Sequence, residues 1–280
     1  MNRTLLALAA AAALLLCPRP SLSQQGKADR YDVPLTDPSR PVRLRVAIVM
    51  GSIDVEAYNG NSVVVEAVAR EVNRGDAPAG KDGLRRVPMG SPGLDIEEKD
   101  NVVTVETDGP VKSAIDLRIH VPAQTSVRLE TVQNGEIRIA GVRGDHELSN
   151  TNGGIEARQV SGSVVAHTVN GRVLVTFAAV TPDKAMAFSS LNGDVDVTIP
   201  GGTRANLRME SMNGKLYTDF DVALREPSSK GRSGGGPYRV PLERDVSGAI
   251  NGGGPEFLFK TLNGNIHLRR VAPSTSSRQL

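Results

Sequence analysis

One cysteine stands in 280 residues, tryptophan is missing altogether, and aromatic residues make up only 3%. The lone Cys17 falls at the end of an N-terminal apolar run, so a chain that has lost this segment has neither a disulfide framework nor thiol chemistry. With so few rings, a core must be built from Val, Ile, Leu, Ala and Met, and thin aliphatic cores suit stacked β coils better than a thick sandwich. Neither sign of charge dominates. Lys and Arg number 33 against 31 Asp and Glu, and removing Arg3 and Arg19 with residues 1–23 leaves 31 against 31. That balance excludes the concentrated basic stripe which a nucleic-acid backbone demands. The apolar run from Leu5 to Leu16 is too short to cross a bilayer comfortably, and no later stretch could do so. There is no phosphate-binding loop and no dinucleotide fingerprint.

What is present begins with export. A charged start at Arg3, the apolar run and the small residues of Ser21-Leu22-Ser23 predict a signal peptide over residues 1–23, cleaved before Gln24. A lipidated Cys17 is the rival reading, and Leu16 argues against it because the residue before a lipidated cysteine is normally small. Residues 24–41 read as a polar, proline-punctuated leader. Period-two alternation from Val42 onward predicts a β domain over 42–270, followed by a tail at 271–280. Two stretches rich in Gly, Pro or Ser, 73–92 and 226–236, carry no period and read as loop excursions able to hold specificity.

Within 42–270 one phrase recurs: an apolar residue, then four positions on Asn-Gly, then an apolar residue three after the Asn. Its Asn-Gly pairs are Asn134-Gly135, Asn152-Gly153, Asn170-Gly171, Asn192-Gly193, Asn213-Gly214 and Asn263-Gly264, at intervals of 18, 18, 22, 21 and 50 residues. A fixed period of this length is the signature of stacked repeats. The apolar residues keep register as Leu148, Ala166, Phe188, Met209 and Phe259 before the pair, and as Ile155, Val173, Val195, Leu216 and Ile266 after it. Two backbones fit: a β-solenoid (parallel β-helix-like) with coils of about 18 to 22 residues, or a meander with type I′ hairpin turns. Strict register favours the solenoid. Asn and Gly tolerate positive φ, so the pairs are expected as tight structural turns. The position two before Asn is always small and polar (Asn150, Thr168, Ser190, Ser211, Thr261) and is expected to satisfy backbone groups at the turn. Gln133 adds one residue to the first copy and predicts a bulge that moves Leu129 out of phase.

The pattern resembles a family of exported bacterial β-strand-repeat proteins described as putative adhesins. The resemblance covers roughly residues 42 to 270. It is most telling from Ile115 to Val132, through the Val121-Pro122-Ala123-Gln124-Thr125 break. It implies a β-solenoid and a cell-envelope location, and it supplies no catalytic residues.

Candidate chemistry is sparse. His120, His146, His167 and His267 lack the spacing of a zinc motif; His120 and His267 fall on polar-facing steps, and His167 is placed to be partly buried. Asp194 and Asp196 flank Val195 on one strand face, near Glu156 if coils stack, but Arg138, Arg158, Arg172 and Lys215 are close by register and predict a mixed-charge face. Arg143-Gly144-Asp145 is a chance tripeptide at a turn. The expected function is a non-enzymatic, exported, adhesin-like structural or binding module of the cell envelope, without catalytic, cofactor or metal residues. Its expected partner is an envelope component, a glycan or a protein, and not nucleic acid. The alternatives are a carbohydrate-active enzyme using Asp194 and Asp196, or a scaffold or sensor of envelope stress.

Overall fold

The computed structural model describes residues 29–70, 93–108, 113–224 and 245–271. The signal segment, both excursions and all of the tail but Val271 lie outside the described residues. Among the described residues every regular element is a strand and none is a helix. Twenty strands join in one sheet that wraps an aliphatic core into a nearly closed, barrel-like wall.

The strands follow from alternation. In β2 (Val42–Met50) every second side chain is buried without exception, so the inward set is Val, Leu, Val, Ile and Met. Its hydrogen-bonded neighbours form a first ladder. In spatial order this runs β6 (Val102–Asp108), β2, β8 (Thr125–Gln133), β10 (Arg143–Asn152), the second half of β11 (Ile155–Asn170), β13 (Met186–Asn192), β19 (Glu256–Asn263) and β15 (Ala205–Ser211), all parallel. A second parallel ladder runs β7 (Ala114–Pro122), β3 (Ile53–Tyr58), β9 (Ile137–Ala140), the first half of β11, β12 (Val173–Val180), β14 (Val195–Ile199), β20 (Ile266–Arg270) and β16 (Leu216–Thr218). Each layer of the molecule contributes one strand to each ladder, and from β2 onward along the stack the chain passes between them at a glycine corner. None of the Asn-Gly pairs joins hydrogen-bonded antiparallel neighbours, so these pairs are not hairpin turns.

The phase of the repeat becomes two inward columns. Val46, Leu129, Leu148, Ala166, Phe188, Phe259 and Met209 stack on the first ladder. Ile53, Ile137, Ile155, Val173, Val195, Ile266 and Leu216 stack on the second. Like residues meet because register is fixed by the layer spacing of about 4.8 Å. Where Ala166 leaves room, Phe177 meets Phe188 edge-on at 6.3 Å, and Phe188 in turn stacks on Phe259 at 5.2 Å.

Sequence order and stacking order part company at both ends. The first layer, β2 with β3, lies between the layer of β6 with β7 and the layer of β8 with β9. Likewise β19 and β20 are inserted between β13 with β14 and β15 with β16. The excursions fall in sequence where these reversals occur, one after β4 (Ser62–Arg70) and one before β18 (Asp245–Ile250). Within the 50-residue interval, Asn251-Gly252 follows β18, which runs antiparallel on β15.

Antiparallel strands close the ends. β4 pairs β7, β1 (Asp29–Pro34) pairs β4, β5 (Gly93–Lys99) pairs β6, and β17 (Ala223–Leu224) pairs β18. Residues expected as a polar leader thus include an outer strand, β1, whose Asp29, Arg30 and Asp32 present charge at an edge that would otherwise invite pairing. Arg269 and Arg270 end β20, where they pair with Thr198 and Ile199 of β14. The extra residue of the first repeat is absorbed at the corner, where Asn134 has φ 57°, and Leu129 stays in register with Leu148. The register shift falls instead between Ala157 and Ser161, beside Gln159 at φ 51°.

Candidate binding surface

The corner is the most regular feature of the molecule. Among the glycines of the six repeated pairs only Gly153 has positive φ, at a nearly extended 159°, so left-handed backbone is not why glycine follows asparagine. Space is. A Cβ on Gly171 would stand 2.2 Å from the Gly153 carbonyl oxygen, one on Gly193 2.1 Å from that of Gly171, and one on Gly264 2.1 Å from that of Gly193. Backbones of successive layers approach too closely here for any side chain.

The small polar position completes the corner. Thr168 Oγ1 donates to the Gly153 carbonyl at 2.9 Å, Ser190 Oγ to Gly171 at 2.7 Å, Thr261 Oγ1 to Gly193 at 2.9 Å and Ser211 Oγ to Gly264 at 3.0 Å. Each of these side chains is buried, so the hydroxyl supplies a donor that water cannot. Replacing Thr168 by the near-isosteric Val is expected to cost about 1–3 kcal/mol, because the Gly153 carbonyl loses that donor. Denaturant unfolding reads this directly, and an unchanged midpoint would remove the hydroxyl from the account. Outside the corner the asparagine amides form their own ladder: Asn170 Nδ2 donates to Asn152 Oδ1 at 2.8 Å, Asn192 to Asn170 at 2.8 Å, Asn263 to Asn192 at 2.7 Å and Asn213 to Asn263 at 2.8 Å.

The candidate acids are occupied. Asp196 takes a two-pronged contact from Arg269, at 3.0 and 2.9 Å, and Asp194 Oδ1 accepts the Asn265 N–H at 2.7 Å. Glu156 is separated from Asp196 by a layer carrying Leu174 and pairs with Arg158 at 2.7 Å. Asp145 of the Arg143-Gly144-Asp145 tripeptide is held by Lys184 at 2.6 Å and by Ser163 Oγ at 2.7 Å. These donors, Lys184 first, keep its carboxyl below the usual carboxylate range. Among the described residues no three His, Cys, Asp or Glu side chains converge as a metal site.

The histidines sort differently from their sequence reading. His167 is exposed on the outer face and its Nδ1 meets Ser189 Oγ at 2.8 Å. His267 stacks on Tyr217 at 4.9 Å, and His120 meets Tyr58 edge-on at 6.2 Å. His146 is the buried one, 1% exposed, between Val127 and Val164 in an inward column. Neither ring nitrogen has a hydrogen-bond partner, and burial pushes its pKa down to about 4. The carbonyls of Ser161 and Val142 and the charge of Asp145 pull weakly the other way, the carbonyls without bonds of good geometry.

What remains is a surface. On the outside of the first ladder the early layers are charged and paired, with Arg128 bonded to Glu130 at 3.0 Å and to Glu147 at 3.2 Å. Over β11, β13, β19 and β15 the same face turns apolar. Leu191 is 43% exposed, Met212 66% and Val165 45%. Leu191, Leu262 and Met212 line a groove of about 330 Å³ whose other side carries His167, Ser189, Lys260 and Glu210. Lys260 bonds Glu210 at 2.9 Å and holds that carboxyl below its ordinary value. The signal for this groove was in the repeat. The residue directly before Asn is Val169, Leu191, Met212 or Leu262 in the later copies, although it falls on an outward step.

No family model matches the chain, and no curated protein matches it. Several solved structures are similar in fold. A putative cell adhesion protein from Clostridium sporogenes is 12% identical, covers 88% of this chain and 99% of its own, and superimposes with a TM-score of 0.49. A putative adhesin from Bacteroides fragilis is 10% identical over 88% of this chain and 97% of its own, with a TM-score of 0.34. A putative lipid binding protein from Parabacteroides distasonis is also 10% identical over 88% and 97%, with a TM-score of 0.27. The similar structures are thus bacterial proteins named for adhesion or lipid binding, at distances that carry no argument about ligand or partner.

Proposed function

We propose that this chain is a β-solenoid of the adhesin-like kind, exported and non-enzymatic, which binds an envelope partner over several stacked strands rather than in a pocket. In-register parallel ladders with glycine corners support the architecture, and the N-terminal segment 1–23 supports export. The observation that carries the binding role is the outward apolar column of Val169, Leu191, Leu262 and Met212, set on a wall that elsewhere carries outward ion pairs such as Arg128 with Glu130 and Arg138 with Asp54. An aliphatic column kept on the solvent side over four layers adds nothing to the core, and contiguous apolar surface of this kind marks an interaction site. The alternating Ser, His, Lys and Glu beside it supply orientation by hydrogen bonds.

The test is binding of the mature protein to immobilised envelope glycan and envelope protein fractions. Replacing Leu191 and Met212 together by Lys is expected to weaken capture by at least about tenfold while leaving the melting curve in place, as truncation of central anchors does at other interfaces. Capture that is untouched by the double change places recognition elsewhere.

A further inference from the structure

Asn-Gly is the dipeptide most open to self-attack, because glycine places no side chain between its backbone nitrogen and the preceding amide carbon. The chain has eight such pairs, at Asn59, Asn134, Asn152, Asn170, Asn192, Asn213, Asn251 and Asn263. The fold treats them unequally. We infer that Asn59 and Asn134 are sites of spontaneous deamidation, and that the asparagine ladder protects the other repeated pairs from the same chemistry.

The reaction needs only water. The backbone nitrogen of the glycine forms a bond to the asparagine Cγ, the Cγ–Nδ2 bond breaks, and the glycine proton leaves with Nδ2 as ammonia. Water then opens the resulting five-membered imide at either carbonyl, giving aspartate or isoaspartate. Two groups must be free: the attacking nitrogen and the departing one.

In the ladder they are engaged. Nδ2 of Asn170, Asn192, Asn263 and Asn213 each donates to the Oδ1 of the next asparagine, at 2.7–2.8 Å, and that of Asn152 donates to the Val132 carbonyl at 3.3 Å. The attacking nitrogen is held as well in three of them: Gly153 N–H donates to the Asn170 carbonyl at 2.9 Å, and those of Gly171 and Gly193 donate to Asn192 and Asn263 at 3.1 Å. Asn251 keeps its Nδ2 on the carbonyls of Gly201 and Thr203, at 2.9 and 2.7 Å. Bending Cγ toward the glycine nitrogen therefore breaks bonds at each of these sites.

Asn134 stands outside that system. The extra Gln133 displaces it from the ladder, it is exposed at φ 57°, and among the described residues neither its amide nor the Gly135 N–H has a hydrogen-bond partner. Asn59 shares these features: it is exposed in the connection between β3 and β4, and neither its amide nor the Gly60 N–H has a partner among the described residues. The ladder thus does more than support the corner. It holds inert the dipeptide that the close approach of layers makes unavoidable.

The experiment is peptide mapping by mass spectrometry of the folded mature protein during incubation in mildly alkaline buffer, beside the same protein unfolded in denaturant. Unfolded, all eight sites are expected to convert at similar rates. Folded, Asn59 and Asn134 keep that pace while the ladder asparagines fall behind by at least about tenfold, since their hydrogen bonds must open first. A second arm uses Asn170→Ala, which removes the acceptor of Asn192 Nδ2 and is expected to speed conversion at Asn192. If that variant does not fold, the comparison of folded with unfolded parent protein decides alone. Ladder asparagines that convert as fast as Asn134 in the folded protein overturn the proposal, as does an intact Asn59 and Asn134 beside a reactive unfolded control.

Discussion

Gly193→Ala is expected to be strongly destabilising for a change of a single methyl group. The added carbon would stand 2.1 Å from the Gly171 carbonyl oxygen and 2.5 Å from its carbon, both backbone atoms of the neighbouring layer. No rotamer change relieves such a contact, because neither partner is a side chain. The layers must separate locally, which loosens the Thr261 hydroxyl bond to the Gly193 carbonyl and the asparagine contacts on either side. Overpacking of this kind costs about 3 kcal/mol or more, which in a domain of this size lowers the melting temperature by roughly 10 °C. Gly202→Ala is the matched control: nothing lies within 4 Å of its Cβ position, so loss of unfolded-state freedom leaves stability unchanged or raised by about 0.5 kcal/mol. Equal melting temperatures for the two variants would show that close approach does not fix glycine at the corner.

The same contrast separates what the sequence revealed from what it concealed. The phase of the repeat was readable because inward columns impose it: a residue such as Val195 must match Val173 on one side and Ile266 on the other, so its character is set twice. The small polar position was readable for the same reason, since a buried carbonyl recurs in every layer. The role of glycine was misassigned to backbone handedness, because close approach and positive φ select the same residue and only coordinates distinguish them. Stacking order was not readable at all. Every layer offers its neighbours the same backbone edge, so nothing in β19 declares that it belongs between β13 and β15 rather than beyond them. The strands β1 and β18 escaped notice because they pair antiparallel outside the two repeated ladders, and β1 needs no apolar alternation. Of the candidate site, the column of Leu191 and Met212 was visible as text, but its outward direction became meaningful only once the wall around it proved to be ion-paired.

His146 gives the second large effect, and it is one of pH. The inward column around it reads Leu44, Val127, His146, Val164, so an imidazole stands where each neighbouring layer places an aliphatic side chain. Folding holds the ring neutral down to about pH 4, whereas the unfolded chain takes up a proton near 6.5. Between these values the unfolded state binds more protons, so stability falls as pH is lowered through that window and levels off below it. One group displaced this far removes about 3 kcal/mol in total by pH 4. The carboxylates held low by their partners, Asp145 and Glu210 among them, act in the same direction but withdraw their stability below their ordinary values of 3.8 and 4.5, mostly beneath this range. His146→Val is therefore expected to do two things. At neutral pH it removes two unpartnered buried nitrogens and continues the valine column, raising stability by about 1–2 kcal/mol. From pH 6.5 to 4 it abolishes a loss of about 3 kcal/mol, so the gap between variant and parent widens as the solution is acidified. Denaturant unfolding at a series of pH values measures both, and a gap that stays constant across the window would mean that the buried imidazole does not govern the acid response.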